Sequence, residues 1–296
     1  MRLVRFRHMH KEHYGIRTDS KTVNLPLLAK AINEKIPKRL EDLITLGHEG
    51  VESMERLLKK VGQADVARAS CSSKETTLFA PIPFPPKIIC LGLNYRDHAA
   101  ETNKCVPDEP VIFMKPHTAI IGPNKSIVNP RFVKELDYEA ELAIIVGRKA
   151  KNVPVAEAQD FIFGYTVFND VSARDIQFRD KQWTRGKSFD TFAPTGPCIT
   201  TVDQLPDTSD LAIRTWANGE LRQNSTTRNM AFNVYEIVHE LSRVMTLEPC
   251  DIIATGTPAG VGFAMKPQPR FLRAGDVVKI EIEKIGILEN TVVDEK

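Results

Sequence analysis

The chain has 296 residues, 42% hydrophobic and 26% charged, an ordinary globular composition with room for about two domains at ~150 residues each. Its 40 Lys plus Arg against 38 Asp plus Glu leave a formal charge of +2, which argues against a nucleic-acid partner and against an acidic disordered chain. No apolar run approaches the ~18 residues that span a bilayer, so no membrane partner is expected.

The N-terminus, MRLVRFRHMHK, is basic but has no apolar core and does not read as a secretory signal. Leu3, Val4 and Phe6 open a strand instead. An apolar stripe at Leu27, Leu28 and Ile32 follows Pro26, and a second at Leu40, Leu43 and Ile44 is closed by Gly47. A third, at Val51, Met54, Leu57 and Leu58, has Lys59 and Lys60 in its last turn and Gly62 just beyond. That placement suits the helix dipole and a glycine terminator. Pro81, Pro83, Pro85 and Pro86 then make an extended, semi-rigid linker. The expected division is a small N-terminal α/β domain over 1–80 and a larger domain over 81–296.

Beyond the linker the chain turns strand-rich. Lys87–Leu91, Val111–Met114 and the unbroken apolar run Leu142–Val146 read as strands, the last as a buried one. Leu211–Ala217 and Glu220–Gln223 flank Asn218-Gly219, the signature of a hairpin with a type I′ turn. Val234, Ile237, Val238, Leu241, Val244 and Met245 fall at helical spacing, with Asn233 as N-cap and Glu236 three residues on. Val277–Glu283 and Ile287–Val293 are strands separated at Gly286. Without a regular βαβ rhythm, the expectation is a β-rich α+β fold.

The run Glu135-Leu136-Asp137-Tyr138-Glu139-Ala140-Glu141 leads straight into the apolar strand. Residues two apart on a strand share a face, so Glu139 and Glu141 project together, with Asp137 a further candidate. Adjacent carboxylates repel unless a cation lies between them. With no His or Cys beside them, all-oxygen ligation suits Mg²⁺, Mn²⁺ or Ca²⁺. A solvated acidic face is the plain alternative. Asp170 ends the strand-like run Gly164–Asn169, as a ligand or as a helix N-cap. Arg174 and Gln177 are three apart on one helix face, placed to hold a carboxylate or to pair with a nearby acid. Lys187 follows Gly186 in a turn read as non-helical. Beside a metal it would stabilise an enolate, and otherwise it is a surface lysine.

His98 and Glu101 are three apart after a buried strand, a spacing that lets a carboxylate orient an imidazole as general base. Chance surface neighbours would show the same spacing. The polar, proline-bearing stretch Asn103–Pro110 suits a lid. The loop Ala254–Gly262 is glycine-rich but interrupted by Pro258. It is no dinucleotide fingerprint, although its amides and the Thr257 hydroxyl suit a carboxylate. The five cysteines Cys71, Cys90, Cys105, Cys198 and Cys250 contain no C-x-x-C pair and predict reduced thiols in the cytoplasm, with the mitochondrial matrix as second choice.

In this order the blocks GLNYRDHAAE, IFMKP, LDYEAELAIIVG, GYTVFNDVSARDIQ, GKSFDTFAPTGP, NGELRQ and DIIATGTPAGVG resemble the fumarylacetoacetate hydrolase superfamily over roughly 80–290. The N-terminal segment, the H-x-x-E turn and the GKSFDTFAP block are most similar to the group of fumarylacetoacetate hydrolase domain-containing protein 2 and bacterial oxaloacetate decarboxylase-like members. The resemblance implies a β-sandwich roll and a homodimer. It implies that Glu139, Glu141 and Asp170 ligate Mg²⁺ or Mn²⁺, and that Lys187 stabilises an enolate. It further implies that His98 and Glu101 activate water, and that Lys115, Arg174, Gln177 and Thr257 contact substrate or tie the site together.

The expected activity is metal-dependent enolate chemistry on a small 2-oxo acid. Carbon–carbon cleavage comes first, as acylpyruvate hydrolysis or oxaloacetate decarboxylation. Oxaloacetate keto–enol tautomerisation is the next alternative. Isomerisation or dehydration of a larger 2-oxo acid follows, and then a non-enzymatic regulatory binder that keeps the fold.

Overall fold

The computed structural model describes all 296 residues. Its spine is a twelve-stranded mixed sheet. From one edge ten strands run Ser70–Ser72, Lys21–Asn24, Lys11–Arg17, Arg2–His8, Ala193–Thr201, Ile162–Asn169, Ala140–Val146, Ile252–Ala254, Ile88–Gly92 and Val111–Lys115, while Thr77–Phe79 pairs with Arg2–His8 and Ile120–Ile121 with Ala193–Thr201 off this path. The N-terminal strands join the rest along one antiparallel seam, with Arg2 opposite Thr200 and Leu3 opposite Ile199. A second sheet of five strands runs Glu220–Thr226, Ala212–Ala217, Val277–Ile282, Gly286–Asp294 and Ile127–Asn129. The α+β, sheet-rich expectation is met.

The unbroken apolar run has a simple cause. Every residue of Ala140–Val146 is buried, because both faces of that strand are covered. Leu142 and Ile144 belong to a core shared with Ile213, Ile280 and Leu288 of the smaller sheet. Ala143 and Ile145 point the other way, into a core built with Leu25, Leu28, Leu43 and Met54 of the N-terminal helices.

Those helices are Leu25–Ala31, Leu40–Ile44 and His48–Lys60. Two residues assigned to their apolar stripes lie outward: Leu27 is 47% exposed and Leu58 is 36% exposed. Leu25, Leu28 and Ala29 form the buried face of the first helix, while Asn24 caps it by accepting from the Leu27 N–H. The helix Val234–Val244 has the expected reciprocal cap between Asn233 and Glu236. Asn218 and Gly219 both have positive φ, at 52° and 80°, as a type I′ turn requires. Lys187 departs from expectation, because Thr184–Lys187 forms a single helical turn. All five cysteines are free thiols. No helix is long and apolar enough to cross a membrane.

Candidate metal centre and active site

Glu139 immediately precedes the strand Ala140–Val146, and Glu141 is its second residue. Ala140 pairs with Asn169, so the antiparallel register brings Asp170 alongside. The Asp170 N–H donates to the Glu139 carbonyl at 2.9 Å, and the Asn169 side chain accepts from the Glu139 N–H at 3.0 Å. Oxygens of Glu139, Glu141 and Asp170 lie within 4.8 Å of one another, and all three residues are buried. Asp170 is not a helix cap, since Ala173 occupies that position for Arg174–Gln177. Asp137 stands apart from the cluster. Its carboxylate accepts from Arg174 Nε at 2.9 Å and from the Gly262 and Phe263 amides.

Three buried cations hold two of the carboxylates. Lys187 Nζ donates to Glu139 Oε2 and Asp170 Oδ2, both at 2.8 Å. Arg174 Nη1 meets Glu139 Oε1 at 2.6 Å and also donates to Gln177 Oε1 at 2.9 Å. Lys115 Nζ donates to Asp170 Oδ1 at 2.5 Å and to the Val171 carbonyl at 3.2 Å. Burial alone would raise Glu139, but Lys187 and Arg174 outweigh it and hold its pKa at about 2. Burial likewise works against the Lys187 ammonium, yet Asp170 and Glu139 leave its pKa raised.

Glu141 is different. Its Oε2 accepts from the Gly256 N–H at 2.8 Å, and its Oε1 is buried without any partner. Burial, then Asp170 and Glu139, push its pKa well above the carboxylate range. An orphaned carboxylate oxygen inside a three-carboxylate cluster fits a hard divalent cation, which would give that oxygen its missing partner.

His98, Glu139, Arg174, Gln177, Lys187 and Thr257 line one cleft. The helix Arg96–Glu101 starts after the strand Ile88–Gly92 and a left-handed Leu93 at φ 57°. Within that helix His98 Nδ1 meets Glu101 Oε1 at 2.7 Å. Asp97 pins it by accepting from the His98 amide and the Ser225 hydroxyl. Gln223, which the sequence did not single out, donates to Thr257 Oγ1 at 2.8 Å. The Thr257 hydroxyl hydrogen is thereby left for the cleft. Asn94 is a second such residue. Its amide donates to the Phe232 and Thr255 carbonyls and supports the glycine-rich loop. Asn94 lies in the block GLNYRDHAAE and Gln223 ends NGELRQ, but each acts on a distant segment, so spacing alone gave neither a place in the site.

The sequence matches the family model for the fumarylacetoacetate (FAA) hydrolase C-terminal domain over residues 87–293. A Xenopus laevis protein named oxaloacetate tautomerase fahd2, mitochondrial, is 41% identical over 99% of this chain and 90% of its own length. The 5-carboxymethyl-2-hydroxymuconate delta-isomerase of Mycobacterium smegmatis superposes with a TM-score of 0.76 at 37% identity, covering 100% of both chains. Maleylpyruvate hydrolase from Sphingobium sp. SYK-6, solved with manganese(II) and pyruvate, superposes with a TM-score of 0.80 at 30% identity, again over 100% of both chains. The chain belongs to the fumarylacetoacetate hydrolase family.

Proposed function

We propose that the chain is a Mg²⁺- or Mn²⁺-dependent enzyme that interconverts the keto and enol forms of a small 2-oxo acid, with oxaloacetate as substrate. The observation that carries the reading is one cleft lined by a buried lysine, a carboxylate-paired histidine and Glu139, with Glu141 and Asp170 clustered beside Glu139. Oxaloacetate is favoured by the Xenopus laevis relative's name, since that relative aligns over nearly the whole chain.

When bound, the divalent cation supplies Lewis-acid polarisation of the substrate's carboxylate and 2-oxo oxygens. The remaining work falls to the chain. Arg174 Nη2 is buried without a partner and is available to a substrate carboxylate. The Thr257 hydroxyl donates beside it. Lys187 stays protonated and donates to the oxygen on which enolate charge develops. Glu101 occupies His98 Nδ1, which fixes the tautomer and keeps Nε2 free to take and return the proton at C3.

A second reading rests on the same pair. A carboxylate-oriented imidazole is also equipped to activate water, and C3–C4 cleavage of an acylpyruvate would follow. The test is to load the protein with Mg²⁺ or Mn²⁺ and assay oxaloacetate, acetylpyruvate and fumarylpyruvate. Enol absorbance and pyruvate release are followed separately. Faster oxaloacetate tautomerisation than pyruvate release from any of the three supports the first reading. The reverse order supports the second, and metal-loaded protein inert in every assay removes both.

A further inference from the structure

The cleft holds one cation that the reaction above does not use. Lys104 lines its mouth with Thr102, Phe178, Trp183 and Phe263. It is exposed and makes no ion pair with any Asp or Glu. Its Nζ lies 5.9 Å from the centroid of the Trp183 ring. Trp183 is itself well placed to hold that position. Its ring packs over Gly92, where an added Cβ would come within 2.1 Å of it, and against the edge of Phe113 at 5.8 Å. The other side of the mouth is aromatic, with Phe178 and Phe263 at 5.1 Å. Lys104 is therefore the free charge among the residues that frame the opening.

Charge balance says what such a group is for. Lys115, Arg174 and Lys187 face the four buried carboxylates of Asp137, Glu139, Glu141 and Asp170. With all four ionised, as ligation requires, and a divalent ion bound, the group carries an excess of one positive charge. The His98–Glu101 pair adds either nothing or one further negative charge, depending on whether the imidazole is protonated. The inner site thus balances a monoanion at most, and a second carboxylate on the substrate needs another cation.

We infer that Lys104 recognises the distal carboxylate of a dianionic 2-oxo acid and sets the preference for such acids over monocarboxylic ones. The inference rests on the 2-oxo-acid reading of the cleft. It needs no rearrangement of the buried residues.

The test compares binding of 2-oxoglutarate and 2-oxopentanoate, which differ only in a terminal carboxylate against a methyl. The chain has 2 tryptophans, Trp183 and Trp216, so a Trp216→Phe background makes Trp183 the reporter of binding in Mn²⁺-loaded protein. The expected result is tighter binding of the dicarboxylate, with Lys104→Gln shrinking that preference roughly three- to tenfold. Lys104→Arg retains the preference, and added salt weakens it. The corresponding ratio of KM values for oxaloacetate and acetylpyruvate moves the same way. If both acids bind and Lys104→Gln leaves their ratio within a factor of two, the Lys104 assignment is overturned while the reading of the site stands. If the unsubstituted cleft binds neither acid, the 2-oxo-acid reading falls and takes the assignment with it.

Discussion

The backbone N–H of Gly260 donates to Oε2 of Glu101 at 2.9 Å, across 159 positions of sequence. The other oxygen of that carboxylate holds His98 at 2.7 Å. The glycine-rich loop thus orients the imidazole through its partner, while Thr257 of the same loop lines the cleft. Gly260 has φ +102°, and a Cβ there would lie 2.1 Å from the Arg222 carbonyl oxygen. Gly260→Ala must shift the loop, at a cost of about 1–3 kcal/mol. The expected outcome is a fall in kcat of roughly tenfold or more with a smaller change in Mn²⁺ affinity, because Glu139, Glu141 and Asp170 all lie on other segments of the chain. Steady-state kinetics beside a Mn²⁺ titration checks this, and an unaltered kcat in a folded variant would show that the loop does not position the base.

Glu139 and Glu141 are two residues apart and should respond oppositely to amide substitution. Glu139→Gln removes the charge that Lys187 and Arg174 face, leaving buried cations short of a partner. Breaking a buried ion pair in this way costs about 3–5 kcal/mol. Glu141 has no cationic partner and is pushed toward its neutral form by burial and by Asp170 and Glu139. Glu141→Gln keeps an oxygen to accept from Gly256 and relieves like-charge crowding. Metal-free Glu141→Gln should unfold at or above the temperature of the parent, and Glu139→Gln well below it. Both should lose Mn²⁺ binding. A marked loss of stability in metal-free Glu141→Gln would contradict this account of the charges.

Much of this site was legible from spacing. The pair Glu139 and Glu141 follows from strand alternation, and the contact of His98 with Glu101 from one helical turn. What spacing could not supply was the partner of each charge. Lys115 reaches Asp170 from a strand 55 positions earlier, and Arg174 divides itself between Asp137 and Glu139. Those choices are made by the sheet order, which local periodicity does not encode. The same limit applies to the fold. The apolar run through Leu142–Val146 announced a buried strand, but not that N-terminal helices cover one face and a second sheet the other. Leu27 and Leu58 were misplaced because adjacent leucines can each complete an apolar stripe, and only packing selects the inner one.

Metal binding should depend on pH with a definite sign. Glu141 is held well above the usual carboxylate range by burial and then by Asp170 and Glu139, so a proton competes for its carboxylate at higher pH than for an ordinary glutamate. Ligation requires the carboxylate, and binding must expel that proton. Affinity for Mn²⁺ therefore rises as pH rises, until Glu141 is ionised without the metal. Calorimetric titration in buffers of different ionisation enthalpy should register proton release on metal binding, growing as the pH is lowered. In Glu141→Asp the release should persist if ligation persists. Metal uptake with no proton release and no pH dependence would mean that Glu141 is already charged in the metal-free protein.

His98 stands on its own short helix and is not one of the three clustered carboxylate ligands. Its removal should separate proton transfer from metal binding. His98→Ala takes away the group proposed to move the C3 proton, and the expected loss in kcat is about 10²–10⁴-fold. His98→Gln should lose as much, since an amide can still meet Glu101 but cannot carry the proton. Mn²⁺ affinity should stay within roughly threefold in both, because the loss of His98 changes only the longer-range field at Glu139. Exogenous imidazole should restore part of the rate to the alanine variant and none to the glutamine variant, whose side chain fills the space. If His98→Ala tautomerises oxaloacetate at the unsubstituted rate while losing pyruvate release, the C3 proton travels by another route. The His98–Glu101 pair would then belong to water activation and cleavage.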